Sequence, residues 1–342
     1  MNTIDRFRGC LIGGGLGDAL GYVVEFWPEH DIFSKFGRDG ITLDKCGDRI
    51  MRISDDTQMT LFTAAGLLTA TRNGAKSAAD YRDRIGMAYL EWLHTQTVSP
   101  NEPSPAWSRS WLLGVPGLYS RRAPGGTCLS ALYSRQFGTV HHPINDSKGC
   151  GGIMRVAPVG LFFSDPMQAA QVAAEAAAVT HGHSLGHMPA AALAVIVSDL
   201  VYRDDPIYTA VNHALTLVEH LYENDEHLGE FIKLMEDALY LAQRKNVPVL
   251  QAIHILGEGW VGEEALAIAV YCAVKYSEDW NAALAASVNH NGDSDSTGAV
   301  CGNILGAHLG FTSIPAAYVD RLELSDVILK MAGELHAVSV KD

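Results

Sequence analysis

The chain has 342 residues, 48% hydrophobic and 19% charged, which excludes a disordered or fibrous polymer. Lys and Arg number 25 against 39 Asp and Glu, and a formal charge of -14 repels a phosphate backbone, so free nucleic acid is not an expected partner. No run of 18 apolar residues exists, and the first apolar patch is broken by glycines and Asp18, so neither a membrane span nor a signal peptide is expected.

In chain order, Gly9, Gly13, Gly17 and Gly21 come first, one every four residues. On a helix they share one face, where missing side chains admit another backbone at about 1 kcal/mol of helix propensity per glycine. The run GGGLGD misses the G-x-G-x-x-G register and no strand precedes it, so a dinucleotide fold is rejected. Glu25 follows among Val23, Val24, Phe26 and Trp27. If it lines a cleft, that surround makes it a poised base; otherwise it is a surface glutamate at a helix end.

Apolar positions at spacings of three and four predict helices over 56–71, 78–93, 167–179, 189–202, 207–221, 228–243, 263–276, 279–288, 297–309 and 324–338. Alternating strand patterns are almost absent, so the fold class is all-α. The segment 99–152 breaks the pattern with Pro, Gly, Ser and Arg, as a functional loop does; an interdomain linker is the alternative. His181, His183 and His187 have a spacing that could pass for a metal site. With no Cys or Glu beside them, hydrogen bonding or stacking on a ligand is preferred over zinc. Gly302, Gly306 and Gly310 repeat the four-residue glycine spacing near the end. The six cysteines are scattered without C-x-x-C pairs, as in a reduced cytoplasmic protein.

Two acidic clusters carry the chemistry. Ser54-Asp55-Asp56-Thr57 precedes one amphipathic helix, and Asn291-Gly292-Asp293-Ser294-Asp295-Ser296 precedes the last glycine-faced one. Either alone reads as a helix cap. Together, four carboxylates at two helix starts would repel one another unless cations joined them, and oxygen donors select Mg²⁺ or Mn²⁺ over zinc. An EF-hand is ruled out, because its glycine at position six and glutamate at position twelve are missing. Gly149-Cys150-Gly151-Gly152 offers backbone N–H groups that can approach an anion closely, or is an ordinary flexible loop.

In order along nearly the whole chain, RGCLIGGGLGDALGYVVEF, SDDTQM, RAPGGTCLSAL, DSKGCGGIMR, THGHSLG and NHNGDSDSTGAVCGNILGAHLG resemble the ADP-ribosylglycohydrolases, including the dinitrogenase-reductase-activating type. The resemblance implies a single domain over 1–342, with 99–152 as the cleft segment, and a binuclear Mg²⁺ or Mn²⁺ centre below an ADP-ribose cleft. By position it implies Ser54, Asp55, Asp56, Asp293, Asp295 and Ser296 as metal ligands and Glu25 as the catalytic glutamate. It also implies Ser147, Lys148, Gly149, Cys150 and Gly151 as the loop holding diphosphate and ribose, with His181 against the ligand. Asn291 stands where a second glycine is common and Cys301 where alanine is frequent; neither removes a ligand. The implied partner is an ADP-ribosylated protein, with arginine as the expected linkage and a monomer as the expected state. Serine-linked or small ADP-ribose conjugates, and a non-catalytic crystallin-like binder, stand as alternatives. A Nudix-type hydrolase lacks its acidic helix signature here.

Overall fold

The computed structural model describes residues 2–46 and 50–339. It consists of helices α1 (Thr3–Gly21), α2 (Glu29–Phe36), α3 (Asp55–Arg72), α4 (Ala78–Thr97), α5 (Gly126–Tyr133), α6 (Ala157–Phe162), α7 (Pro166–Ala178) and α8 (Ser184–Ser198). They are followed by α9 (Ile207–Leu221), α10 (Leu228–Ala242), α11 (Val249–Leu256), α12 (Gly262–Lys275), α13 (Trp280–Val288), α14 (Ser294–Leu309), α15 (Ala316–Val319) and α16 (Ser325–Val338). Among the described residues extended pairing is limited to two isolated bridges, Met51 with Leu322 and Gly149 with Val261. The all-α expectation holds.

The two ends of the chain meet at the centre. Gly9, Gly13 and Gly17 of α1 lie opposite Gly306, Gly302 and Gly298 of α14, and Gly21 lies opposite Ser294, so the two helices run antiparallel. A Cβ on Gly17 or Gly302 would meet the opposing backbone carbonyl far inside 3.0 Å, which explains why these positions carry no side chain. The α14 ladder is therefore Gly298, Gly302 and Gly306. Gly310, expected to extend it, is the C-cap at φ 77°.

This antiparallel register sets the end of α1 beside the start of α14. The third helix start is tied in by Asp18, which is fully buried on α1. Its carboxylate accepts the backbone N–H groups of Ser54 (3.0 Å) and Thr57 (3.1 Å) and the Thr57 hydroxyl. Burial pushes Asp18 up to about 6, opposed by those hydrogen bonds. Three segments that are remote in sequence thus converge on one spot.

Most expected helices match within a residue or two at each end. α8 starts five residues before the expected 189, because Pro189 lies inside the helix rather than at its first turn. His183 is its N-cap, with Nδ1 accepting the Leu185 N–H at 3.1 Å. With its continuation to Arg203, this helix is long and apolar enough to cross a membrane, at mean hydropathy 1.5, yet 94% of it is buried inside the protein as a core helix. The segment 99–152 holds α5 and three short 3₁₀ turns, Trp111–Gly114, Pro116–Tyr119 and Cys150–Gly152.

Candidate functional site

The convergence opens into a cleft of about 320 Å³ whose lining includes Glu25, Asp55, Asp56, Asp293, Asp295 and Ser296. Its opposite wall is Ala123 to Cys128 with Gly149, Cys150, Gly151 and His181. Five carboxylates border it, and no Lys or Arg stands among its described lining residues.

Three of the acids, Asp55, Asp293 and Asp295, are positioned by backbone N–H groups. The Asp55 Oδ2 accepts the Gly125 N–H at 3.2 Å, anchoring the 99–152 segment to α3. Asp293 is the N-cap of α14: Oδ1 accepts the Ser296 N–H at 3.2 Å, and Oδ2 accepts the Cys150 thiol at 2.7 Å. Asp295 Oδ1 also accepts the Ser296 N–H, at 2.9 Å. The Oδ2 of Asp56 and the Oε2 of Glu25 are buried without a hydrogen-bond partner.

Burial raises the carboxylates first and their neighbours raise them further. Asp55, Asp56 and Asp295 all sit well above the ordinary carboxylate range. Glu25 is pushed up to about 8 by burial, then by Asp293 and Asp55, while a hydrogen bond with Asp295 pulls it partway back. A raised carboxyl holds its proton in the folded state after the unfolded chain has lost it, so stability falls as pH rises between the two pKa values. For Glu25 that window runs from the ordinary 4.5 to about 8. In EDTA the protein therefore melts at a lower temperature at pH 8.5 than at pH 5.5, as a calorimetric scan would record; the reverse order would mean these acids are not a repelling cluster.

The glycine loop forms the far wall. A Cβ on Gly151 would lie 2.9 Å from both the Cys128 Sγ and the His181 Cε1, so only glycine fits. His181 is buried, and its Nδ1 shares a 2.8 Å hydrogen bond with the Thr180 hydroxyl. Burial and the nearby Arg155 push it down to about 3, so it is a neutral imidazole at the cleft wall. Arg155 itself is fully buried, bonded to the Thr180 hydroxyl at 2.6 Å and lying over the Tyr89 ring at 4.1 Å.

Three expected site residues do not line the cleft. The Ser54 hydroxyl accepts the Asp56 N–H at 3.2 Å, the capping role that the sequence left open. The Ser147 hydroxyl is 3.2 Å from that of Thr127 and braces the loop from behind. Lys148 is paired with buried Glu263 and faces a separate surface hollow, so its charge is not directed at the cleft. Conversely, Asp18, Phe26 and Trp260 belong to the site's structure and were not singled out by spacing or motif.

A larger cavity of about 1170 Å³ lies beyond Gly182 and His183, lined by His141, His187, His220 and His227 among others. It contains none of the paired acids. The clustered acids all border the smaller cleft.

A helical scaffold with an acid-lined cleft walled by a glycine loop is the architecture to set against known proteins. The chain matches the family model described as ADP-ribosylglycohydrolase over residues 1–342, and it belongs to that family. It is 24% identical over 367 residues to "ADP-ribosylhydrolase ARH3" of Bos taurus, with 99% of this chain and 94% of the relative covered. It is 23% identical to the "ADP-ribosyl-[dinitrogen reductase] glycohydrolase" of Rhodospirillum rubrum, with 96% and 97% covered. A solved structure titled "ADP-ribosylglycohydrolase-related protein complex" shares the fold at a TM-score of 0.65 and 22% identity, covering 99% of both chains. Hydrolysis of an ADP-ribose conjugate is the activity class this membership supports.

The side chains fit the two divalent cations implied by the family resemblance. Oxygen donors crowd together, they repel one another when ionised, and the Asp56 Oδ2 lies buried without a partner. Among the described residues no three His, Cys, Asp or Glu side chains form a ready-made ligand group, so these acids are adjacent rather than preassembled.

Proposed function

We propose that the protein releases ADP-ribose from arginine side chains of modified proteins, with Mg²⁺ or Mn²⁺ held by Asp55, Asp56, Asp293, Asp295 and the Ser296 hydroxyl. The observation that carries this reading is a cleft bordered by five carboxylates and by no basic side chain. Such a field favours cations, and it favours a leaving guanidine that departs as guanidinium. When bound, the metal ions would polarise the ribose oxygens and a water.

The residues of the chain do the rest. The glycosidic bond from the anomeric carbon to the guanidine nitrogen breaks, and a bond from that carbon to a water oxygen forms. Glu25, with Oε2 unpartnered at the cleft, takes the water's proton and passes it to the departing nitrogen. The Cys150 N–H is donated to the Trp260 carbonyl and the Gly149 N–H to the Ser147 hydroxyl, so in this glycine loop Gly151 is the residue whose N–H approaches the diphosphate, and neutral His181 packs beside it without adding charge.

The test is release of ADP-ribose from an arginine-modified protein with Mn²⁺, with EDTA, and by Glu25→Gln. The expected results are loss in EDTA and a fall of about 10²–10⁴ in kcat for the variant, with ADP-ribose still bound. Release that survives EDTA would sink the metal reading. A wild-type protein that binds ADP-ribose but turns over neither arginine- nor serine-linked conjugates would be a binding protein.

A further inference from the structure

Phe26 and Trp260 are large aromatic residues held out in solvent, 69% and 40% exposed. Their rings stack at 6.0 Å between centroids and 20° between planes. Both line the acidic cleft, so the pair stands at its mouth. Exposed paired aromatics contribute little to a core, and their position calls for a ligand.

The chain fixes what the pair stands beside. Phe26 follows Glu25 directly, placing it beside the reacting centre. The Trp260 carbonyl accepts the Cys150 N–H at 3.1 Å, and Gly149 and Val261 pair as an isolated bridge. Trp260 is thereby clamped to the glycine loop. On its outer side Phe26 also borders a surface hollow of about 480 Å³ with Trp27, Pro28, Asp31 and Lys35. That hollow gives a polypeptide carrying the modified residue a route to the aromatic pair.

Resting on the arginine reading above, we propose that Phe26 and Trp260 form the subsite for the departing guanidinium. A planar, weakly hydrated cation stacks on aromatic faces, and the neighbouring carboxylates add to the attraction. A serine hydroxyl leaving group has neither the plane nor the charge. The pair would then discriminate between linkages while leaving ADP-ribose itself untouched.

The experiment uses the Mn²⁺-loaded full chain and the variants Phe26→Ala, Trp260→Ala, Phe26→Tyr and Trp260→Phe. Turnover of ADP-ribosyl-arginine and ADP-ribosyl-serine is measured alongside calorimetric binding of free ADP-ribose. The alanine variants are expected to raise KM for the arginine conjugate about tenfold, with kcat within about twofold and ADP-ribose affinity unchanged. The aromatic replacements restore KM. If ADP-ribose affinity falls by the same factor as KM rises, the pair holds the nucleotide and the proposal is overturned. Equal losses on both linkages overturn it too. A wild-type protein active on serine and idle on arginine overturns the linkage reading, and the guanidinium site with it.

Discussion

Asp56→Asn melts at a higher temperature than the wild type in EDTA and no longer binds Mn²⁺ or turns over substrate. Asp56 is buried, its Oδ2 has no hydrogen-bond partner, and Asp18, Asp55 and Asp293 all push against its charge. In the metal-free protein it must either bury a charge or hold a proton well above its ordinary range. An amide of the same shape removes that conflict and can donate to the neighbouring carboxylates. Relief of one unsatisfied buried group is worth about 1–3 kcal/mol. The same change removes a negative ligand. Because altering outer-shell partners alone costs about 10–100-fold in metal affinity, a ligand substitution should exceed that. Thermal melting in EDTA and a Mn²⁺ titration followed by paramagnetic resonance read the two effects separately. A lower melting temperature, or unchanged Mn²⁺ affinity, would show that Asp56 is an ordinary helix-start acid.

That opposition of stability and function is the reason the acids could be read from the chain at all. A cap needs one acceptor: Ser54 already caps α3, so both Asp55 and Asp56 exceed what local structure requires, as does Asp295 beside the capping Asp293. Their excess was visible in a short window. The glycine spacing was visible for the same reason, since a four-residue period survives without knowledge of its partner. Other parts of the site depend on pairings across the chain. Lys148 lies in the glycine loop, but Glu263, 115 residues further on, takes its ammonium away from the cleft. Asp18 looks like a stray acid in an apolar helix until Ser54 and Thr57 are brought to it. Phe26 and Trp260 become a pair only when α1's exit and the segment before α12 meet. The short helices α2, α5, α6, α11 and α15 have at most eight residues, too few for a helical period to stand out from its surroundings. His183 could be read as a ligand because a histidine cap has no distinctive spacing.

Gly17→Ala and Gly333→Ala add the same methyl group to a helix and should shift stability in opposite directions. At Gly333 on α16 nothing lies within 4 Å of the new Cβ, so the substitution gains helix propensity, up to about 1 kcal/mol. At Gly17 the methyl would be driven into the Gly298 carbonyl of α14. Both sides of that contact are backbone, so no rotamer change relieves it; the helices must separate. Overpacking of this kind costs about 1–3 kcal/mol, and denaturant melts of the two variants would show one curve moved each way. The effect reaches the chemistry because α1 and α14 are the two arms of the site. Asp18, next to Gly17, holds the start of α3, and α14 begins with Asp293 and Asp295 opposite Gly21. Separating the helices moves Glu25 away from the acid cluster, so on the proposed mechanism the folded fraction of Gly17→Ala loses turnover as well. A Gly17→Ala protein with wild-type stability would mean that the close backbone approach of α1 and α14 does not hold the fold together.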